Sequence, residues 1–427
     1  MDQVYPSIGG WQFPISRICF FLLRGGSDAH ATIRRARVTV EMQHSKMLTT
    51  SQTREGLSRL ERLDDNQICD SRTEIRLFAK VRNEALRLPY FLAYYRKLGV
   101  NRFFIVDNCS TDHTVEILRR NSNCHIFQTD QKMADSRAGM DWIEPLLAEY
   151  GENRWCLIVD ADELLVYPNS ESTPLAELCQ SLDRAKLNAV PAIMVDMYPE
   201  GNIEKVEYRQ GQSFIDASPF FDRGGYKFSD AGHEPMIIGG PRLRMFYPEL
   251  PDRRTAHVRR WIVGCIARIP ILRNLVPRLR KLPILHRPKP CPPILNKVPL
   301  VRWNKDMTFS SAAHFVRGAR VASARCVLLH FKFLGDFNRR VNEEMVRRAY
   351  FMNGAEYNIY YKFIRGQTGI DFSCALSTRY NGSRHLLELG LLERLAPIET
   401  PSWRSDEPAG GLSRHESVVG AETIAAQ

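Results

Sequence analysis

Three acidic residues follow an apolar run near the middle of the chain. The stretch LIVDADELL places Asp160 and Asp162 on either side of one alanine, with Glu163 immediately after them. Two carboxylates in one tight loop can bind a single hard cation such as Mn²⁺ or Mg²⁺, which takes oxygen ligands and shares them with substrate phosphates. The same spacing also occurs in phosphatases with an aspartate nucleophile and in solvated acidic turns. The three residues alone leave these interpretations open.

The position of the acidic pair along the chain separates these interpretations. A haloacid-dehalogenase phosphatase has its D-x-D after the first strand, whereas here the pair ends about the fourth strand and is followed by Glu-Leu. A dinucleotide-binding oxidoreductase would have G-x-G-x-x-G after the first strand. This chain has KVRNEA there. Both classes are therefore disfavoured.

The elements that must position these acids alternate regularly from residue 74 onward. Strands are predicted in EIRLFAKV, NRFFIVDN, CHIFQTD and RWCLIVDADE, and helices in RNEALRLPYFLAYYRKLGV, CSTDHTVEILRR and MADSRAGMDWIEPLLAEYG. Continuous apolar strands separated by helices are typical of a parallel sheet buried on both faces. Such sheets bind ligands at the carboxyl ends of their strands. The sequence therefore predicts an α/β fold with a mostly parallel sheet flanked by helices and a less regular C-terminal region.

The net charge of +11 comes from one segment. Residues 253–302 contain thirteen Lys and Arg and no Asp or Glu; subtracting them from the 59 basic residues leaves 46, against 48 acidic residues. Local basicity indicates one surface for an anionic partner and does not favour nucleic-acid binding. Arginines alternate there with Ile, Leu and Trp, which fits peripheral contact with an anionic membrane. Packing of the apolar side on the rest of the protein, with a solvated basic face, fits equally.

The ten cysteines are scattered, with no CxxC pair. This pattern disfavours a zinc ribbon or a disulfide framework and indicates a reducing compartment. No run reaches the roughly 18 to 20 apolar residues that a membrane span needs. We therefore expect a cytoplasmic protein, peripheral at the inner membrane face if the basic segment contacts lipid.

Four motifs together carry a resemblance to a known family. They are RNE before a helix with Tyr-Tyr, the VDNCSTDHT turn, a helix with R-x-x-x-x-W, and W-x-x-x-x-DADE-x-L. From Arg76 to Tyr167, and more loosely through GGPRLRMF, LNKVPLVRW and LLHFKFL to about residue 350, the chain resembles the glycosyltransferase family 2-like group of bacterial proteins. That group has the GT-A nucleotide-sugar-binding fold. The resemblance covers about two thirds of the chain.

The resemblance implies a metal-dependent, inverting transfer of a sugar from a nucleotide diphosphate donor, with a UDP-sugar as the expected donor. The acceptor would be a hydroxyl of a glycan, of a lipid-linked molecule or of another compound, as in polysaccharide biosynthesis. The nucleotide sugar is expected at Val81, Arg82, Asn83, Glu84, Asp107, Arg137 and Asp160. The ligands expected for Mn²⁺ or Mg²⁺ are Asp160, Asp162 and His330. Simpler roles stay open for three of these residues: an N-cap for Asp107, a solvated helix arginine for Arg137, and a core histidine for His330.

Composition and the resemblance together divide the chain into four segments. They are a partly disordered N-terminal extension (1–72), a nucleotide-sugar-binding half (73–190), an acceptor-binding and C-terminal half (191–370), and a C-terminal region with a disordered tail (371–427). No motif identifies the base that would deprotonate the acceptor hydroxyl.

Five acidic or histidine residues that follow the D-x-D strand could supply this base: Asp216, Asp222, Asp230, His233 and Glu234. Glu234 is favoured, ahead of Asp230 and His233, because GHEP combines a flexible glycine with a proline-ended loop suited to an acceptor-site lid. Two other classes remain open. One is a nucleotidyl- or phosphotransferase on a similar sheet, and the other is a non-catalytic protein that binds a nucleotide sugar or glycan.

Overall fold

The computed structural model describes residues 50–229, 236–248, 292–347, 351–367 and 369–395. The helices, numbered over these residues, are α1 (Thr50–Leu57), α2 (Leu88–Lys97), α3 (Thr114–Arg119), α4 (Met140–Tyr150), α5 (Leu175–Arg184), α6 (Phe214–Ala217), α7 (Gly240–Phe246), α8 (Phe337–Arg347), α9 (Phe351–Arg365) and α10 (Gly382–Glu388). The strands are β1 (Glu61–Arg62), β2 (Ile75–Val81), β3 (Val100–Asp107), β4 (Cys124–Gln128), β5 (Trp155–Ile158), β6 (Glu163–Val166), β7 (Ala189–Asp196), β8 (Phe220–Asp222), β9 (Lys227–Ser229), β10 (Met236–Ile238), β11 (Asn296–Arg302), β12 (Thr308–Phe309), β13 (Val316–Arg317), β14 (Cys326–His330) and β15 (Ser377–Arg379).

A nine-stranded sheet lies at the centre, in the order β1-β4-β3-β2-β5-β11-β7-β14-β6. Six of its strands (β4, β3, β2, β5, β7 and β14) run in the same direction. Strands β1, β11 and β6 are antiparallel to their neighbours. The predicted α/β fold, with a mostly parallel sheet flanked by helices, is confirmed.

Helices cover both faces of the sheet, which explains the continuous apolar strands. In β2, Leu77 packs into one core with Phe91 of α2, whereas Phe78 packs into a second core with Ile143 of α4. Phe78 also stacks on Phe104 of β3, with ring centroids 4.9 Å apart. Because successive side chains of a strand point to opposite faces, a strand between two helical layers is apolar at every position.

The third predicted helix starts later than the apolar pattern indicates. Residues 133–139 form two 3₁₀ turns, Met133–Asp135 and Arg137–Gly139, and α4 begins at Met140. The backbone is left-handed at Ala138 (φ 56°) and Gly139 (φ 85°), which a continuous helix does not allow. A side chain at Gly139 would place its Cβ 2.3 Å from Cδ of Lys80, so glycine leaves room for that lysine.

The second predicted helix also begins further along, at Thr114 and not near Ser110. The backbone N–H of Ser110 donates to Asp107, and that of Thr114 donates to Oδ1 of Asp112, 3.0 Å away. These side-chain acceptors hold residues 108–113 in a turn because they compete with the helical hydrogen bonds. The predicted fourth strand divides into β5 and β6, with the acidic loop between them.

The end of the basic segment 253–302 belongs to the sheet. Residues 296–302 form β11, whose side chains are buried or half-buried except for that of Arg302. Neither a membrane-facing nor a solvated basic face therefore describes these residues, and residues 253–291 lie outside the described part of the chain. Among the described residues, no helix is long and apolar enough to cross a membrane.

Candidate functional site

The carboxyl ends of several strands bring the site residues together. Asp160 and Asp162 follow β5, and β7 and β14 end at Asp196 and His330. His330 is in register with Asp196 on one side and with Glu163 on the other. The backbone N–H of Phe331 donates to the carbonyl oxygen of Asp162 over 2.8 Å. The acidic loop is therefore fixed against the end of β14.

His330 lies between two aspartates. Its Nδ1 is 2.6 Å from Oδ1 of Asp196, and its Nε2 is 3.6 Å from Oδ2 of Asp162. Asp196 is fully buried and also accepts from Nε of Arg242 over 2.7 Å. Burial would raise the pKa of Asp196, but Arg242 and His330 lower it to about 2. A carboxylate can only accept, so Nδ1 carries a proton and donates it to Asp196, and this contact directs Nε2 towards Asp162.

Asp160 lies between two lysines. Lys80 and Lys297 each donate to one of its carboxylate oxygens, Lys297 over 3.3 Å. Although burial raises the pKa of Asp160, the two ammonium groups hold it well below its usual range. Lys297 also pairs with Glu163 at 3.0 Å, and Glu163 accepts the backbone N–H of Asp160 over 3.0 Å. Glu163 therefore holds the loop in place, a role that the sequence left unassigned.

Asp162 and His330 fit a divalent cation. Two ligands about 2.1 Å from one ion are roughly 3 to 3.6 Å apart, which matches the separation of Asp162 Oδ2 and His330 Nε2. A histidine ligand usually donates its other N–H to a carboxylate, as His330 does to Asp196. Among the described residues, no group of three or more His, Cys, Asp or Glu side chains could hold a metal. Other ligands would have to come from substrate phosphates or water, and Asp160 as a ligand stays a prediction.

Glu84 belongs to a buried ionic network. Its Oε2 accepts a hydrogen bond from Nη1 of Arg340 in α8 over 2.9 Å, and its Oε1 lies 2.7 Å from Nη2 of the same arginine. Arg87 lies 3.5 Å from Glu84 and makes a two-point pair with Asp336 at 2.9 and 2.6 Å. Burial raises the pKa of Glu84, and Arg340 and Arg87 oppose that rise. The loop after β2 is thereby tied to α8.

The other residues expected near the nucleotide lie along the ends of β2 and β3. Val81 ends β2 in register with Asp107, and its carbonyl accepts from the N–H of Asn108 over 2.9 Å. Asp107 is fully buried and accepts from Ser110 and Gln128.

Two more residues of this edge make internal contacts. Arg82 donates to the carbonyls of Asn108 and Cys109, and Asn83, at φ 52°, accepts from the N–H of Thr111 over 2.8 Å. Contacts with a nucleotide stay predictions for Val81, Arg82, Asn83 and Asp107.

Arg137 makes contacts within the protein. Its guanidinium pairs with Asp141 and Glu144, each at 2.6 Å, and donates to the carbonyl of Phe309 over 2.8 Å. Burial would lower its pKa, but the two carboxylates raise it. Arg137 thus ties the start of α4 to β12, and its contact with a diphosphate stays a prediction.

The three residues selected as the base (Glu234, Asp230 and His233) lie outside the described residues. Of the other two, Asp222 is buried and pairs with Arg244 at 2.8 Å, and Asp216 is exposed. Nδ1 of His314 is 2.7 Å from the carbonyl oxygen of Asn296.

Sequence reasoning missed four residues that shape this site: Lys80, Lys297, Asp196 and Arg340. A signal existed for three of them. Lys80 and Lys297 are charged residues at buried or half-buried positions of mostly apolar strands, and Asp196 ends another such strand. A charge in a strand that is buried on both faces requires a partner, so each predicts a polar contact at the sheet edge.

Comparisons with known proteins give partial likenesses of fold. No protein-family profile matches the chain, and no curated protein matches it. A 4-diphosphocytidyl-2C-methyl-D-erythritol synthase is 18% identical over 33% of this chain and 65% of its own, with a TM-score of 0.20. UDP-glucose pyrophosphorylase complexed with UDP-glucose is 14% identical over 42% of this chain and 81% of its own, also with a TM-score of 0.20. At these scores neither likeness carries an argument about function.

Proposed function

We propose that this protein is a glycosyltransferase that moves a sugar from a nucleotide diphosphate donor to a hydroxyl of a glycan or lipid-linked acceptor. The donor in this proposal is a UDP-sugar. One observation carries the proposal. Asp162 faces Nε2 of His330 at 3.6 Å, at the carboxyl ends of parallel strands, and Asp196 fixes the imidazole. An oxygen ligand beside an oriented imidazole suits a cation that also binds phosphate oxygens.

The cation in this proposal is Mn²⁺ or Mg²⁺, held by Asp162 and His330. When bound, it would neutralise charge that develops on the leaving diphosphate. Asp160 would join these ligands only if its carboxylate left Lys80 or Lys297, both of which contact it. The two ammonium groups add positive charge beside the same leaving group.

The remaining roles follow the resemblance. The loops that follow Val81 and Asp107 would border the nucleoside. Glu234 would take the proton of the acceptor hydroxyl while this hydroxyl attacks the sugar carbon with inversion. Contact of residues 253–291 with an anionic membrane would bring the enzyme to a lipid-linked acceptor. Co-sedimentation with phosphatidylglycerol vesicles, which salt should abolish, tests that contact.

Nucleotidyl transfer is the second candidate, and the two lysines around Asp160 favour it. Phosphoryl transfer depends on cations that stabilise charge on phosphate oxygens, and Lys80 and Lys297 lie at the expected edge of the sheet. The products separate the two reactions. Glycosyl transfer releases a nucleoside diphosphate, whereas nucleotidyl transfer from a nucleoside triphosphate releases pyrophosphate.

A ligand screen tests the proposed function. UDP-, GDP- and dTDP-sugars are added with and without Mn²⁺, and thermal stability and donor hydrolysis are measured for the wild type and Asp162→Ala. We expect a metal-dependent stabilisation by one nucleotide class that Asp162→Ala loses. Asp222→Asn is the control, because Asp222 is a buried carboxylate that pairs with Arg244 and not with His330. The proposal fails if no nucleotide sugar stabilises the wild type.

A further inference from the structure

Helix α8 directs two arginines to the edge of the sheet where the nucleotide is expected. Arg340 binds Glu84, in the loop after β2, and Arg347 donates to Oδ1 of Asn108, directly after β3. The two arginines are seven residues apart and so lie on one face of the helix. Because β2 and β3 are adjacent parallel strands, a single helix places two guanidinium groups at neighbouring carboxyl ends.

Arg340 retains hydrogen-bonding capacity. A guanidinium has five N–H donors, and the contacts with Glu84 involve two of its nitrogens. Among the described residues, the remaining donors of Arg340 have no acceptor, and 18% of its side chain is exposed. A purely structural arginine in a buried network would be expected to use more of its donors. Arg340 can therefore bind a further acceptor without giving up Glu84.

Three guanidinium groups lie together at this edge of the sheet. Arg82, Arg340 and Arg347 all act electrostatically on Glu344 of α8, and Nη1 of Arg347 is 3.6 Å from that carboxylate. Guanidinium groups that converge at two adjacent strand ends can donate to several anionic oxygens of one ligand.

The cluster also adjoins the candidate metal ligands. Burial would raise the pKa of Asp162, and the neighbouring His330 and Arg340 lower it. Arg340 is therefore close enough to influence the carboxylate that faces His330. The loop after β2 reads RNEALR, without the glycines and lysine that hold phosphates in other nucleotide sites, so the phosphate donors must come from elsewhere.

We propose that Arg340 and Arg347 of α8, with Arg82, bind the diphosphate of the nucleotide donor, and that Glu84 positions Arg340 for this contact. Guanidinium groups bind phosphate oxygens through paired hydrogen bonds, which suits a diphosphate lying along two strand ends. The inference rests on the proposed function and adds to it the residues that hold the leaving group. It involves no covalent step.

Calorimetric titration with inorganic pyrophosphate and with UDP tests this assignment, in Mn²⁺ and separately in EDTA. Arg340→Gln and Arg347→Gln should each weaken binding about 10-fold or more, because each variant removes hydrogen bonds between charged groups. Arg339→Gln is the matched control on the same helix. Its side chain is 53% exposed and pairs with Glu343, so its affinity should stay within about 2-fold of the wild type.

A second variant covers the case in which Arg340→Gln does not fold. Glu84→Gln/Arg340→Gln removes both members of the buried pair, leaves no unpaired charge between them, and should still lose affinity for pyrophosphate. If the wild type binds UDP and the arginine variants bind it as tightly as Arg339→Gln does, the assignment is overturned while the proposed function stands. If the wild type binds neither pyrophosphate nor any nucleotide, both are overturned.

Discussion

The two aspartates of the acidic loop lie in opposite environments. Asp160 contacts two ammonium groups, whereas Asp162 faces the imidazole of His330. Both pKa values are lowered despite burial, Asp160 chiefly by Lys297 and Lys80 and Asp162 chiefly by His330. Two carboxylates of one motif can therefore take different roles, and the neighbouring strands decide which role each takes.

The order of strands explains the difference. Strand β5, which leads into the loop, lies between β2 and β11, and these strands carry Lys80 and Lys297. Asp160 lies two residues after the end of β5 and contacts a lysine from the strand on each side. Asp162 lies two residues further on, where its backbone carbonyl binds the N–H of Phe331 after β14. We call the first environment the lysine side and the second the histidine side.

The largest expected effect is on the lysine side and concerns stability. Lys297→Met would leave the carboxylates of Asp160 and Glu163 without the ammonium group that both contact. Breaking a buried ion pair costs about 3 to 5 kcal/mol, which urea unfolding would detect. Lys305→Met, at an exposed lysine, should stay within about 0.5 kcal/mol of the wild type. Equal stability of the two variants would contradict the role given to Lys297.

The next effect separates the two aspartates in catalysis. Asp162→Asn should lower the rate of donor turnover about 100- to 1000-fold, because it removes a ligand that supports charge on the leaving group. Asp160→Asn should lower it only about 10-fold, because that residue acts through its neighbours. Rates are measured with the donor that the ligand screen identifies. A larger loss for Asp160→Asn would reverse the assignment of roles.

A smaller effect is expected behind the histidine. Asp196→Asn would no longer fix the Nδ1 proton of His330 and should weaken Mn²⁺ binding about 10- to 100-fold. Asp222→Asn is matched to it, because Asp222 is also buried and also pairs with an arginine. Equal Mn²⁺ affinity of the two variants would show that Asp196 supports the fold alone.

The smallest effect is the pH dependence of stability. A carboxylate with a lowered pKa in the folded state stabilises the protein above its ordinary pKa of about 4, and this contribution is lost as the pH falls through the lowered value. Lys297 and Lys80 hold the pKa of Asp160 below that value. Between pH 5 and 2, the free energy of unfolding should therefore fall less steeply in Asp160→Asn than in the wild type, by about 1 kcal/mol. Identical slopes would contradict this difference.

The sequence predicted the sheet well because its signals are local. Mostly apolar runs such as RLFAKV and RFFIVD predict strands that are buried on both faces. The spacing of Leu88 and Phe91 is that of a helix with one buried face, and it predicts α2. The start of α4 was predicted too early, because its turn depends on Lys80 packing over Gly139 from another strand.

The site was predictable only in part for the same reason. Asp162 and His330 stand at strand ends, which the pattern reveals. The pairing of Lys297 with Asp160 requires knowing that β11 inserts beside β5, and residues 137 positions apart show no periodicity that could indicate it. Glu84 and Arg340 are 256 positions apart, and their pairing was missed for that reason.

The binding of Mn²⁺, followed by electron paramagnetic resonance in the presence of UDP, tests the central claim most directly. The account predicts one saturable site in the wild type. Asp162→Asn and His330→Gln should each weaken it about 10-fold or more, and Asp160→Asn should change it by less than about 3-fold. Loss of the site in Asp160→Asn with full retention in Asp162→Asn would contradict the claim that the histidine side holds the metal.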